Sequence, residues 1–413
     1  MRILVQKFGG TSVATRERRR QVLRHIVQAR EQGYAVVAVV SAMGRAGDPY
    51  STDTLLSLAE RPAGGSAPAR ELDQLASAGE IIACAVVACE LHAAGWPAVS
   101  LTGAQAGIVT DGCFGQARIV EVRTERVVRE LSEGRVPVVA GFQGVTPAGD
   151  VTTLGRGGSD TTAAALGVAL GAELVEIYTD VDGLKAADPR VVPEAPTLRS
   201  VAYREAAELA HLGARVIHPR AVEIAMEGHV PLRIRETGSD DPGTLVWDRV
   251  PGGAMEIRSD RPVVGLAHVA PIAQVVVEGS DDFNRRGLGA AVLESVAREG
   301  VSIDLILVSP DRIMFTVPEP AVEAVERALA GHPVRVRVFR GLAKLSAVGA
   351  GMHGVPGIMA RIAGALAAAG VDIWQTSDSH ASISCLVRAE DLQTAIRALF
   401  AEFRLGEGKG HAT

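Results

Sequence analysis

Two glycine-rich stretches carry the residue types that handle anions. The first is Lys7-Phe8-Gly9-Gly10-Thr11-Ser12-Val13, placed between an apolar run, Ile3-Leu4-Val5, and a helical stretch from about Thr15 to Gln32. A Gly-Gly turn there aims backbone N–H groups and the positive end of a helix at one point, which suits phosphate. Lys7 adds a mobile ammonium to that point. The same residues also read as a plain strand–turn–helix with a surface lysine. Composition bears on the choice. Among 42 Lys and Arg only four are lysines, Lys7, Lys185, Lys344 and Lys409, so a lysine beside two glycines is less readily filler. The second stretch is Leu154-Gly155-Arg156-Gly157-Gly158-Ser159-Asp160, leading into an Ala-rich helix that starts near Ser159 or Asp160. Ser or Asp at that place serves as an N-cap in the simpler reading. Arg156 with glycines before a helix also makes an anion site, the guanidinium clamping a carboxylate at two points. Two such sites in one α/β domain suit two anionic ligands, a nucleotide polyphosphate and an acid acceptor.

The elements around these motifs are those of a parallel sheet. Ala35-Val36-Val37-Ala38-Val39-Val40 is an unbroken apolar run, as in a strand covered on both faces. Val22, Leu23, Ile26 and Val27 recur at helical spacing before Gly33, a plausible stop. Strand, helix, strand makes a βαβ unit with a right-handed crossover. Ser41 follows the second strand, and ligands of open α/β sheets sit at the carboxyl ends of strands. Arg45 to Ala69 reads mostly as loop, with a short helix near Asp53–Leu58. Glu71 to Leu91 reads as helix, and its periodicity makes Glu80 a solvated surface residue. Further strands are expected at Val136–Ala140, at Leu174–Tyr178 before Thr179-Asp180, and at Pro231–Arg235. Helices are expected at Tyr203–Leu212 and from Pro219 through Glu227. His218, before that proline, reads as a packed or capping residue. The Gly/Pro/Asp-rich stretch from Gly238 to Gly253 reads as a domain boundary.

Bulk properties exclude several classes. With 413 residues, two or three domains are expected. The net charge of −6 provides no basic face for nucleic acid. The apolar runs read as too short and too broken by Gly and Ala to span a bilayer, and the N-terminus reads as a strand and not a signal. Cys84, Cys89, Cys113 and Cys385 have neither C-x-x-C nor ligand spacing, which fits reduced, buried thiols in a cytoplasmic protein. There is no G-x-x-x-x-G-K-[ST], no G-x-G-x-x-G after the first strand, and no protein-kinase motif set.

After about residue 260 a strand-helix-strand-strand-helix pattern occurs twice. At an offset of 70 residues Gly300-Val301 meets Gly370-Val371, Ile303 meets Ile373, Ser309 meets Ser379, Ile313 meets Ile383, Val317 meets Val387 and Leu329 meets Leu399. This is an internal duplication of a small βαββαβ unit. Each copy gains by pairing with its duplicate or with a second chain. The second copy opens with the glycine loop from Gly349 to Gly357. That loop reads equally as a small-carboxylate site or as a turn with no ligand.

Taken together, these residues resemble the aspartokinases of the amino acid kinase family. Lys7 to Val13 matches the signature K-F-G-G-T-S-V, and Leu154 to Asp160 matches L-G-R-G-G-S-D. Thr179-Asp180, Asp188-Pro189-Arg190 and Gly213–Ala221 match further motifs, and the tail resembles tandem ACT domains, which sense amino acids. The resemblance implies an α/β amino acid kinase fold over residues 1–250, followed by two ferredoxin-like ACT domains at 262–340 and 341–413. It implies ATP-dependent phosphorylation of the L-aspartate β-carboxylate, at the entry to lysine, diaminopimelate, threonine and methionine synthesis. Lys7 would stabilise the transferring phosphoryl, with Asp160 as organiser. Phe8, Gly9, Gly10, Thr179, Asp180, Lys185, Arg190 and Arg215 would contact the nucleotide. Ser41, Thr52, Glu80, Arg156, Gly157, Gly158 and Ser159 would bind aspartate, which lifts Glu80 out of its surface reading. Mg²⁺ would ride mainly on the ATP phosphates, with no metal ligand from the protein. An end-product effector (diaminopimelate, lysine or threonine) would bind near Met352, Val355, Pro356, Gly357, Ser377 and Asp378. A homo-oligomer through the ACT domains is expected, with no membrane or nucleic-acid partner.

The chain departs from the family at two places. Arg215 stands where the family usually has Lys, and Lys185-Ala186 replaces an aromatic or Met followed by Thr, so the nucleotide wall differs. The missing Pro-Gly turn in the first copy and the Arg45–Tyr50 insertion match most closely the diaminopimelate-sensitive subtype. The length leaves no room for a fused homoserine dehydrogenase. Two alternatives stand beside this reading. One is an amino acid kinase with another acceptor, such as glutamate or its acetyl derivative; the other is a non-catalytic amino-acid sensor.

Overall fold

A computed structural model describes residues 1–59, 67–214, 216–248, 262–279, 287–352 and 354–407. Two compact units emerge. The first holds Met1–Leu184, Thr197–His211 and the stretch after Ala214; the second holds Lys185–Pro196, Leu212–Ala214 and the C-terminal part of the chain.

In the first unit β1 (Ile3–Phe8) leads to a single helical turn, α1 (Gly10–Val13), and then to α2 (Arg16–Glu31) and β2 (Ala35–Val40). Thr15 separates the two helices: its side-chain oxygen accepts from the Arg18 N–H at 3.2 Å and caps α2. Next come α3 (Thr52–Ser57), α4 (Ala69–Ala93), β3 (Ala98–Leu101), β4 (Ile108–Thr110), β5 (Ile119–Val122) and α5 (Glu125–Ser132). They are followed by β6 (Val136–Ala140), β7 (Gln143–Val145), β8 (Val151–Thr153), α6 (Gly158–Ala169) and β9 (Leu174–Thr179). The unit continues with β10 (Ser200–Val201), α7 (Tyr203–His211), α8 (Pro219–Glu227), β11 (Leu232–Glu236) and β12 (Thr244–Val246).

Eight of these strands form one sheet in the order β10-β12-β11-β9-β1-β2-β6-β3. Every neighbouring pair is parallel except β11 with β12. Alternate residues feed two cores, as a pleated strand requires. Val5, Val37 and Val39 pack with α5, α6, α7 and α8 on one face, while Leu4, Val36 and Val40 pack with α2 and α4 on the other. Both faces are therefore dry, and all six residues of β2 are buried. β1 sits where the strand order reverses, between β9 and β2. Phe8 is level with Val40 on one side and Tyr178 on the other, so the loops leaving all three strands open at one edge.

The structure corrects the sequence reading in four places. The Gly/Pro/Asp-rich stretch expected as a boundary contains β12, a strand of the main sheet; its residues from 249 on lie outside the described residues. A four-stranded sheet, β5-β4-β7-β8, arises from segments of three or four residues, too short to show a period. α4 has the length and apolarity of a membrane span, yet Ala83, Cys84, Val87 and Leu91 bury its apolar face in the core beside β2 and β6. Cys89 and Cys113 are exposed, and only Cys84 and Cys385 are buried; all four thiols are free.

The second unit holds one six-stranded sheet. Its elements are β13 (Gly265–Glu278), α9 (Leu288–Arg298), β14 (Asp304–Val308), β15 (Arg312–Pro318), α10 (Val322–Leu329) and β16 (Arg335–Val348). They continue as α11 (Ile358–Ala368), β17 (Gln375–Asp378), β18 (Ser382–Arg388) and α12 (Leu392–Glu402). The 70-residue offset recurs in the elements, since β13, α9 and β15 each have a counterpart shifted by that amount. The strand order is β14-β15-β13-β16-β18-β17. β13 and β16 each run for 14 residues. Their antiparallel pairing shifts register between Val269 and Ile272, where one copy hands over to the other. The domain boundary expected at 340/341 therefore falls inside β16: each long strand serves both copies, and a cut there would divide a shared strand. β14, on one edge, exposes Ile306, Leu307 and Val308, at 51%, 44% and 57%.

Candidate active site

The open edge of the first sheet holds the residues that the sequence singled out. Lys7, next to last in β1, places its Nζ 2.7 Å from Asp160 Oδ1. Asp160 lies in the first turn of α6, and its Oδ2 accepts the His218 backbone N–H at 3.2 Å. The pair is nearly enclosed, with side-chain exposures of 12% and 10%. Gly9 is extended and donates its N–H to Tyr178 O at 3.2 Å, while Phe8 stacks on the Tyr178 ring at 4.9 Å. Gly10 has no room for a side chain, because a Cβ would lie 2.6 Å from Ala42 O and 2.8 Å from Gly44 O. The glycine turn and the loop after β2 thus touch backbone to backbone.

The second motif reaches the same place through a different support. Asp73 of α4 is buried; its carboxylate accepts from Thr153 N (2.8 Å), Thr153 Oγ1 (2.7 Å) and Gly115 N (2.9 Å). That clamp fixes β8, from which Leu154 leads into the loop. Gly157 takes φ +71° as the residue preceding α6, and the His218 ring fills the space a Cβ would need, at 2.3 Å. The helix is therefore capped by a glycine, and neither Ser159 nor Asp160 is its N-cap. The Asp160 carboxylate goes to Lys7 instead. The Arg156 side chain is exposed and makes no hydrogen bond or ion pair among the described residues.

Glu80 reverses its surface reading. It is 2% exposed, since α4 turns this face onto the loop after β2. One carboxylate oxygen accepts the Ala42 N–H at 3.1 Å, and the other is buried without a partner. Burial pushes its pKa up to about 8, against the pull of the Ala42 N–H.

Lys7, Gly10, Ser41, Thr52, Glu80 and the run Arg156 to Asp160 surround one cavity of about 410 Å³. Sequence reasoning missed Arg45, Ser51, Asp53 and Phe142 on its wall. Phe142 ends the third apolar run at φ +68°, a feature with no sequence signal; Ser51, at the N-cap of α3, was detectable as a cap. The Arg156 guanidinium, exposed and unpaired among the described residues, lines this cavity while Asp160 is paired with Lys7, so that side of the cavity suits an anion. Thr179 ends β9 and Asp180 follows it; Asp180 accepts from Arg45 Nη2 at 2.5 Å and from Thr179 Oγ1 at 3.2 Å. Lys185 and Arg190 belong to the second unit, where Arg190 is exposed and pairs with Asp188 at 2.6 Å. Arg215 lies outside the described residues. In the second unit Met352 is buried, Val355, Pro356 and Gly357 are exposed before α11, and Ser377 and Asp378 are exposed on the edge strand β17. His353 of that loop lies outside the described residues.

Comparison with known proteins gives consistent matches. The amino acid kinase family matches residues 2–236, and an ACT domain family matches residues 338–400. Aspartokinase 1 of Bacillus subtilis is 44% identical over 407 residues, covering 98% of this chain and 100% of that protein. E. coli aspartokinase III in complex with lysine and aspartate superposes with a TM-score of 0.78 at 25% identity, over 97% of this chain and 99% of that one. The same enzyme in complex with aspartate and ADP gives 0.77 at 24% identity, over the same shares.

Glu80 sets a pH dependence of stability. Its carboxyl keeps a proton up to about pH 8 in the folded chain but loses it near 4.5 when unfolded. The folded state therefore holds the extra proton across that window, and this contribution to stability falls as pH rises from about 4.5 to 8. Glu80→Gln, which cannot ionise, is expected to melt near the wild type at pH 5 and several degrees above it at pH 8.5. Equal melting temperatures at both pH values would show that the carboxyl is not buried as described.

Proposed function

The chain belongs to the aspartokinases of the amino acid kinase family, and from that premise we propose how its residues divide the work. The reaction is ATP-dependent phosphorylation of the L-aspartate β-carboxylate to 4-phospho-L-aspartate. A carboxylate is already a nucleophile at neutral pH, so no general base is required. One β-carboxylate oxygen attacks the γ-phosphorus, the bond to the bridging oxygen breaks, and ADP leaves with that electron pair. What remains is positioning and charge neutralisation.

Lys7 neutralises the transferring phosphoryl, and Asp160 holds the ammonium in place; their ion pair on the cavity wall is the observation that carries this reading. The N–H of Gly10 faces the phosphates, that of Gly9 being held by the Tyr178 carbonyl, and Thr179 and Asp180 take the nucleotide beside it. Arg156, with a free guanidinium, binds an aspartate carboxylate, helped by Ser41, Thr52 and Ser159. The unpartnered oxygen of Glu80 receives the aspartate ammonium, whose charge favours the ionised carboxylate there, and a buried acceptor is satisfied. Mg²⁺ travels mainly on the ATP phosphates. The four free thiols support a reducing, cytoplasmic setting.

The ACT unit is the regulatory element. We place an end-product effector on the exposed loop Val355–Gly357 and on Ser377 and Asp378, and the missing Pro-Gly turn of the first copy, with the Arg45–Tyr50 insertion, favours diaminopimelate. The apolar edge of β14 is the contact between copies of the chain, because an open edge with three exposed aliphatic side chains invites a partner.

Three outcomes are expected. In a coupled assay the wild type phosphorylates L-aspartate, not L-glutamate or N-acetylglutamate, and Lys7→Ala loses on the order of 10²–10³ in kcat. Turnover of another acceptor, or an active Lys7→Ala, defeats the assignment. In the same assay meso-diaminopimelate inhibits; if diaminopimelate, lysine and threonine all leave rate and melting temperature unchanged, the sensor role is wrong. Light scattering finds an oligomer that Ile306→Asp dissociates, and an unchanged mass would remove β14 from the interface.

A further inference from the structure

Arg45 has no role in the reading above, yet it lines the acceptor cavity and also the neighbouring cavity of about 640 Å³ that opens between Thr11, Arg18, Gln21 and Glu236. The loop that presents it is built for the purpose. Gly44 has φ +91°, and a Cβ there would collide with the Asp48 side chain. Asp48 Oδ2 accepts the Arg45 backbone N–H at 2.8 Å. The Gly44 N–H donates to Gly10 O at 3.0 Å, so the loop is tied to the glycine turn beside Lys7. Ser51 caps α3 and donates its Oγ proton to Asp48 O at 3.1 Å, which closes the loop at its far end. The backbone of Arg45 is therefore held while its side chain remains 70% exposed.

The guanidinium rests on Asp180, a half-exposed carboxylate on the nucleotide side of the glycine turn. An exposed pair of this kind is worth little and exchanges readily. The charge inventory shows where the side chain is needed. Lys7 is largely compensated by Asp160, and Arg156 faces the acceptor. Even with Mg²⁺ on the phosphates and the ammonium of aspartate counted, a triphosphate and a dicarboxylate meeting here bring net negative charge that the one uncompensated cation, Arg156, does not offset. Arg45 stands between acceptor cavity and nucleotide-side residue, where charge builds up during transfer.

We propose that Arg45 is a catalytic residue, parked on Asp180 in the ligand-free chain and moving onto the γ-phosphoryl oxygens when ATP and aspartate are bound. The proposal rests on the assignment above of aspartate to the cavity and of the nucleotide to the Thr179–Asp180 side. A planar guanidinium can hold two phosphoryl oxygens at once, a geometry that an ammonium does not reproduce. No proton moves, because Arg45 stays charged and only exchanges one anion for another.

The test uses the full chain with initial rates across ATP and aspartate concentrations, for wild type, Arg45→Ala and Arg45→Lys. Melting temperatures serve as a check on folding. Arg45→Ala is expected to lose about 100-fold in kcat, with the KM for aspartate within twofold of wild type and the melting temperature unchanged. Arg45→Lys falls between the two, and millimolar guanidinium ion restores part of the Arg45→Ala rate. A wild type active on aspartate with Arg45→Ala within threefold in kcat, or with a change confined to either KM, overturns the proposal alone. So does a lost rate with lowered melting temperature in both variants and no guanidinium rescue. A wild type inactive on aspartate overturns the underlying assignment and this proposal with it.

Discussion

The Lys7–Asp160 ion pair, 2.7 Å and mostly shielded from water, is the constraint the catalytic unit is arranged around. An ammonium or carboxylate left alone in such a place carries a desolvation cost of several kcal/mol, so neither can be placed without the other. The pair joins the end of the central strand to the first turn of α6. β1 must therefore end level with β2 and β9, and α6 must begin within reach of it. Gly157, at φ +71° against the His218 ring, lets the chain enter the helix at that point. His218 then donates its backbone N–H to the other oxygen of Asp160. The carboxylate is held from two sides.

A polar layer beneath the glycine turn supports this arrangement. Ser12 of α1 and Thr237 share a hydroxyl–hydroxyl bond of 2.6 Å, and the Thr237 carbonyl lies 2.9 Å from His25 Nε2. His25 is buried against the Tyr178 ring at 4.5 Å, and burial lowers its pKa, so the ring is neutral at physiological pH. Tyr178 and Gln6 donate to Glu176, each at 3.0 Å, and Arg235 completes the set at 3.2 Å. Groups this buried are costly unless bonded, and bonded they hold a single arrangement. Rigidity under the turn and exposure above it are properties a phosphate site needs together.

The ACT unit follows a different logic. Its two copies share long strands, so the duplication produced one sheet and not two separate domains. Val275 and Val277 of β13, with Ile313, Phe315 and Val317 of β15, build the first copy's core. Leu342 of β16 and Leu386 of β18 pack in another cluster with Leu305. Continuous backbone therefore joins the two copies.

Much of this was written locally in the sequence. The unbroken apolar run of β2, the helical spacing before Gly33, proline at the start of α8 and the 70-residue offset each reflect a residue's own preferences or those of its near neighbours. The two glycine motifs likewise identified Lys7, Arg156 and Asp160, because glycine at a tight turn is a local requirement. Tertiary structure alone decided the rest. Glu80 looked like surface because periodicity records which face of a helix is apolar, not what the opposite face meets. Asp73, Arg45 and β12 act through partners 80, 135 and, from Ser200 to Leu245, 45 residues away. Those distances close only when a parallel sheet sets its register, and register comes from the packing of both faces at once, which no stretch of sequence contains by itself.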